Sequence, residues 1–169
     1  MATTTSGANV EWVKGLGADV VIDYKKDDFE TLLHDYDVVL NSQDGATLDK
    51  SLRVLRPGGK LISISGPPDA EYGREIGAPW YVTWVMRALS RGIRQKAKRR
   101  GVAYSFLFMK AQGAQLRQIS ALIDAGLIRP VVDRVFPFEQ TNEAMAYVES
   151  GRAKGKVVVS RDRGQAPTN

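Results

Sequence analysis

The chain contains no cysteine and only one histidine among its 169 residues. The first absence excludes disulfides, thiolate-held zinc and a cysteine nucleophile. The second leaves too few imidazoles for a metal site built from protein ligands alone. His34, late in a helical pattern and beside Asp35, is expected to be a solvated surface residue. There is no apolar run long enough for a membrane-spanning helix and no signal-peptide pattern, so a soluble, cytoplasmic protein is expected. Acid is scarce in one region. Arg87, Arg91, Arg94, Lys96, Lys98, Arg99 and Arg100 fall in a short run without a single carboxylate, so the net charge of +5 is a local property and the remainder is slightly acidic.

What is present is an alternation of two periodicities. Residues 18–24, 37–41 and 60–66 are short, apolar, β-branched runs, and residues 27–33 and 46–55 between them have helical spacing. Strands alternating with helices imply parallel pairing and a sheet covered on both faces. In such sheets ligands lie beyond the carboxyl ends of the strands. Those ends carry Asp23-Tyr24, Asn41-Ser42 and Ser65-Gly66, all polar or small.

A Thr-rich stretch at residues 1–6 reads as a further strand. Residues 8–16 read as a helix turning Val10, Trp12, Val13 and Leu16 inward and ending at the left-handed cap Gly15-Leu-Gly17. That G-x-G lacks a third glycine and follows a helix, so it is not a dinucleotide fingerprint. Pro57-Gly58-Gly59 predicts a tight helix-to-strand turn. Residues 79–100 read as one inserted amphipathic helix running into the basic cluster. Residues 102–109 follow as a strand, then 115–125 as a helix closed by Gly126, with short extended pieces at 128–132 and 134–137. A helix within 138–150, capped by Thr141 or Asn142, turns Ala144, Tyr147 and Val148 inward. Residues 156–160 form a last strand, and 161–169 are expected to be a disordered tail. The organisation expected is one partial cofactor-binding domain, 1–160, with the 79–100 insertion.

The ordered set Leu16-Gly-Ala-Asp-Val-Val-Ile-Asp-Tyr24, Leu55-Arg-Pro-Gly-Gly-Lys-Leu61, Val132-Asp-Arg-Val-Phe-Pro-Phe138 and Glu149-Ser-Gly-Arg-Ala-Lys-Gly-Lys-Val-Val158 resembles the medium-chain dehydrogenase/reductase superfamily. The match is to its zinc-independent, quinone oxidoreductase-like branch. The resemblance implies an α/β fold: a Rossmann-like parallel sheet flanked by helices, incomplete because the family's first strand and glycine-rich turn have no counterpart here. The Thr-rich stretch would be the family's second strand. The catalytic domain is likewise without a counterpart, so the chain alone is expected to be inactive and to bind cofactor poorly.

The resemblance also supplies site expectations. NAD-selective Rossmann proteins place an acid after the second strand; Thr5-Ser6-Gly7 has none, and Ser6 matches a phosphate-contacting family position, which favours NADP(H). A family lysine is replaced by Asn9, and Ser6 could instead cap the following helix. Tyr24 matches a tyrosine lying along the adenosine, or packs. Asn41 ends a strand near the nicotinamide ribose, or ties up a turn. Ser65 and Gly66 let backbone and cofactor approach. Phe106 and Phe108 match a strand that meets the nicotinamide amide and pairs between subunits, or belong to an ordinary core strand. Lys156, and more weakly Lys154, match a phosphate-contacting lysine. No catalytic and no metal residue is named.

Two classes of function follow. The first is the cofactor domain of an NADPH-dependent oxidoreductase acting on quinones, enones or similar small molecules, completed by a complementary N-terminal fragment or assembled as a homo-oligomer. The second is a non-catalytic module whose 80–100 segment binds an anionic membrane surface or a partner. Nucleic acid is not expected, since no recognised motif for it is present. For the 79–100 segment the plain alternative is a family insertion covering the substrate pocket or a subunit contact.

Overall fold

The computed structural model describes residues 1–161; the tail expected to be disordered lies outside the described residues apart from Arg161. Two compact units divide the chain, one spanning Met1–Met109 and the other beginning at Lys110. Every strand pairing in both is parallel, as the alternating pattern requires.

In the first unit, β1 (Ala2–Thr5) pairs with β2 (Val20–Asp23) from Ala2↔Val20 to Thr5↔Asp23. A single turn of 3-10 helix, Gly7–Asn9, and α1 (Val10–Gly15) make the crossover. Gly17, at φ +101°, supplies the left-handed closure expected there. Val10 and Val13 are half-buried, whereas Trp12 and Leu16, both expected inward, are exposed. A sheet of two short strands is too narrow to cover the whole apolar face of the helix.

A second sheet holds β3 (Tyr36–Asn41), β4 (Leu55–Ser63) and β5 (Ala103–Phe106), with β4 in the middle. Asp28–Glu30 of the β2–β3 connection, where α2 (Phe29–Leu32) sits, ion-pairs with Lys50 and Arg53 of α3 (Gly45–Val54). His34 lies beyond α2, exposed, next to Asp35 at φ 61°. Leu48 and Leu52 of α3, four apart and so on one face, meet Leu55, Leu61, Ile93, Ala97 and Val102 in the core. Pro57-Gly58-Gly59 is not a turn before the strand but a bulge within it. The register shifts between Tyr36↔Leu55 and Val38↔Lys60, and Gly58 sits at φ +84°.

The strand expected to reach residue 66 stops at Ser63. There the Ser63 hydroxyl accepts from the N–H groups of Ser65 (3.4 Å) and Gly66 (2.8 Å) and turns the chain. The pairing of β4 with β5 closes with the Leu107 N–H donating to Ser63 O (2.9 Å), and Phe108 lies outside the strand expected over 102–109. A helix absent from the sequence reading, α4 (Ala70–Glu75), follows, N-capped by Asp69. The inserted segment is two helices rather than one, α5 (Trp80–Leu89) and α6 (Arg91–Arg99). They break at Ser90, whose buried hydroxyl donates back to Met86 O (2.9 Å). Among the described residues β1 pairs only with β2 and β3 only with β4, so each has one edge without a strand partner.

The second unit contains α7 (Gly113–Asp124), closed by Gly126 at φ +71°, and β6 (Val132–Pro137) beside β7 (Lys156–Ser160). A 3-10 turn, Phe138–Gln140, leads into α8 (Thr141–Glu149). Neither expected cap forms. Gln140 holds the N-cap position without a side-chain bond, and Thr141 Oγ1 donates to Phe138 O (2.6 Å). Ala144 is buried and Tyr147 half-buried, its hydroxyl donating to Asp133 (2.7 Å) under the Arg134 guanidinium, but Val148 is exposed.

Candidate functional site

The carboxyl ends of β3 and β4 carry the densest polar network in the first unit. Asn41, the last residue of β3, is 3% exposed. Its Oδ1 accepts from Ser63 Oγ (3.4 Å) and Ser65 Oγ (3.3 Å), and Ser65 Oγ also reaches Gln43 O. With Oδ1 held by hydroxyls, the amide N–H groups are the end of Asn41 available to another acceptor. The Asn41 carbonyl accepts from Ile64 N (3.0 Å), which carries the β3–β4 pairing one residue past Ser63.

Gly66 closes the network for a steric reason. A Cβ there would stand 2.8 Å from Ser63 Oγ, 2.9 Å from Tyr104 OH and 3.2 Å from Leu48 Cδ2. The space that glycine keeps open at this position is thus filled by the chain's own atoms. Tyr104 donates to Pro67 O (2.8 Å), and burial, with the negative charge of Asp69 second, pushes its phenol up to about 12. Asp69, itself buried, accepts from Glu71 N and Tyr72 N at the start of α4 and from Phe106 N (3.2 Å) at the end of β5. One carboxylate thereby fastens the loop after β4 to the tip of β5. On that tip Phe106 and Phe108 stack with ring centroids 6.3 Å apart, and Tyr72 meets Phe106 edge to face at 5.1 Å.

Tyr104 yields a pH expectation. A phenol whose folded pKa lies above its unfolded value contributes stability that is full below the unfolded value near 10 and is lost as pH rises toward 12. Alkaline unfolding should therefore steepen between those values, and Tyr104→Phe should flatten it. Urea midpoints measured along that pH range check this; parallel curves for the two proteins would refute it.

The remaining sequence-derived residues lie elsewhere. Thr5, Ser6 and Tyr24 cluster at the ends of β1 and β2, where Tyr24 N donates to Thr5 O (3.1 Å). Ser6 stands in the N-cap position of the following turn without capping it; its Oγ accepts from Asn9 Nδ2 (3.4 Å). The Tyr24 ring is 59% exposed, so it is not a packing residue here. Asp23 alters the picture of an acid-free loop: its Oδ2 lies where a Cβ on Gly7 would come within 2.5 Å. The in-register pairing of Thr5 with Asp23 brings in from β2 the carboxylate that β1 lacks. Lys156 opens β7 in the second unit and is exposed, as is Lys154.

Sequence reasoning missed Ser63, Asp69 and Tyr104. A signal for the first existed: Leu61 and Ser63, two apart on one strand, share a buried face. Asp69, three residues before Tyr72 at a helix start, also fits the capping pattern.

Parallel strands with crossover helices, and amide and hydroxyl groups gathered at the strand ends, define a Rossmann-type nucleotide-binding fold. Residues 16–159 match the family model described as zinc-binding dehydrogenase. The chain belongs to that family, within the medium-chain dehydrogenase/reductase superfamily. It is 36% identical over 166 residues to a mitochondrial NAD(P)H oxidoreductase of Danio rerio, covering 94% of this chain and 42% of that protein. To an NADPH-dependent alkenal/one oxidoreductase, chloroplastic, of Arabidopsis thaliana it is 31% identical, covering 94% and 33%. The fold of a quinone oxidoreductase from Coxiella burnetii superposes with a TM-score of 0.69 at 21% identity, over 94% of this chain and 44% of that one. The chain thus spans less than half the length of these relatives.

The family name raises zinc. Among the described residues no three His, Cys, Asp or Glu side chains come together as ligands, so these residues do not fit a zinc ion and no step is assigned to one. A dinucleotide fits better: Asn41 has amide hydrogens to offer, Ser6 has a hydroxyl free of capping, and Tyr24 has an open ring face.

Proposed function

We propose that this chain is the cofactor-holding part of an NADPH-dependent oxidoreductase that delivers hydride to a quinone, an enone or a similar carbonyl-conjugated acceptor. The observation that carries the reading is the Asn41–Ser63–Ser65 network at adjoining strand ends in a chain of this family. Relatives named for NAD(P)H oxidation and for alkenal/one reduction support it.

When bound, the cofactor supplies the hydride. The chain's own part is orientation. Asn41 offers N–H donors from a buried amide locked by two serines, which restricts rotation of whatever it holds. Asp69 fixes the tip of β5, so the backbone at Phe106 has a set place on the far side of β4 from that amide. Tyr24 offers a ring face for a base. The working assembly is a homo-oligomer or a pairing with a complementary segment, and the chain alone turns nothing over. The cytoplasmic placement belongs to this proposal as well; it stands against a zebrafish relative named as mitochondrial, and among the described residues no helix is long and apolar enough to cross a membrane.

Cofactor choice is set by two opposing groups. Ser6 favours a 2′-phosphate; the Asp23 carboxylate beside Gly7 disfavours it. Ser6→Asp should lower the NADPH-to-NADH affinity ratio by about tenfold or more through like-charge repulsion, and Asp23→Asn should raise it. Dissociation constants for both cofactors measure this. A ratio unmoved by either substitution removes the pair from the ribose site.

The function itself is tested by a chimera in which residues 1–161 replace the matching region of the zebrafish relative. NADPH-dependent reduction of a quinone or enone is expected to persist. A folded chimera that binds NADPH without reducing any acceptor its parent reduces would contradict the assignment.

A further inference from the structure

The α5–α6 segment has chemistry that the cofactor site does not use. No acid occurs between Glu75 and Asp124. No residue of α5 is buried: Trp80 is 83% and Trp84 67% exposed, and Tyr81, Val85 and Leu89 are exposed as well. Tyr81, Val85 and Leu89 recur every four residues and form one apolar stripe; Trp80 and Trp84 form a second beside it. The Trp stripe continues into cations. Trp84, Arg87, Arg91, Arg94 and Lys98 line a groove of about 660 Å³, and Trp80, Trp84, Arg74, Arg87 and Arg94 line an adjoining recess of about 340 Å³. Among the described residues only Lys96 of the basic cluster has a carboxylate partner, Asp49. The burial of Ile93 and Ala97 of α6 in the core anchors this surface to the unit while its cations face outward.

We propose that α5 and α6 form a docking surface for an anionic lipid membrane, with α5 lying in the interface and the α6 cations over the headgroups. Charge complementarity selects an anionic occupant. The apolar stripe narrows the choice: a soluble polyanion or a nucleic acid would fill the cationic groove and leave Tyr81, Val85 and Leu89 in water. A lipid surface uses both features at once, since aromatic and aliphatic side chains enter the headgroup boundary while Arg and Lys meet the phosphates. The docking is peripheral.

The test is flotation of the chain, carrying Trp12→Phe so that Trp80 and Trp84 alone report, with vesicles of phosphatidylcholine or of phosphatidylcholine plus phosphatidylserine. Flotation only with the anionic vesicles is expected, with a blue shift of tryptophan emission and release as salt is raised. Arg91→Gln and Arg94→Gln should each lower the partition by about fivefold. Trp80→Ala with Trp84→Ala should lose the bound state. All four side chains are exposed, so helicity by circular dichroism should be unchanged. Equal partition into both vesicles, or none, would overturn the proposal. So would anionic binding that neither shifts the emission nor needs the tryptophans, or tighter binding to duplex DNA than to vesicles, either of which would assign the surface to a polyanion in water.

Discussion

Leu61→Ala is expected to lower the unfolding free energy of the first unit by about 3–4 kcal/mol, a large part of a small domain's stability. Leu61 has no solvent exposure and sits on the central strand β4. It packs among Leu48 and Leu52 of α3, Leu55, Ile93 and Ala97 of α6, and Val102. These neighbours come from α3, β4, α6 and the residue before β5, so the cavity cannot close by shifting one element. Residual cavity volume adds to the lost transfer energy for that reason. Urea unfolding followed by circular dichroism gives the value; a loss below about 1 kcal/mol would mean that the core is not where it is described.

Asp69→Ala carries the second large effect, about 2–3 kcal/mol, because it leaves three backbone N–H groups without their acceptor at a buried position. Asp69→Asn separates the two duties of the side chain. Its remaining carbonyl oxygen can still cap α4, but the bond to Phe106 N is lost, so a smaller cost, about 1 kcal/mol, is expected. Removing the charge should also bring the Tyr104 titration down, since Asp69 is the second cause holding it high. Phenolate absorbance during an alkaline titration reads this directly. If Tyr104 titrates unchanged in Asp69→Asn, the two side chains are not coupled.

The strands and helices with strong periodicity were legible in the sequence, and β7 matches its expected limits residue for residue. The misreadings share a physical source: a side chain competing with the backbone pattern. Ser63 ends β4 early by accepting two backbone N–H groups, and Ser90 divides a helical run by bonding its own preceding turn. Asp69 starts a helix after Pro67-Pro68, in a stretch for which the sequence pattern suggested no element. At the candidate site, Asn41, Ser65 and Gly66 could be named because strand ends are where parallel sheets hold ligands. Asp23 could not be placed beside Gly7 from its own strand, because that neighbourhood depends on the register between β1 and β2.

In the proposed function the ends of β3 and β4 hold a nicotinamide dinucleotide. Titrating NADPH into the isotope-labelled chain and following backbone amide and Asn side-chain resonances tests it even where binding is weak. The Asn41 side-chain amide and the Ser65 and Gly66 backbone amides are expected to shift together along one saturating curve, with Ser6 and Tyr24 following it. Saturable shifts confined to other residues, with Asn41, Ser65 and Gly66 unmoved, would contradict it.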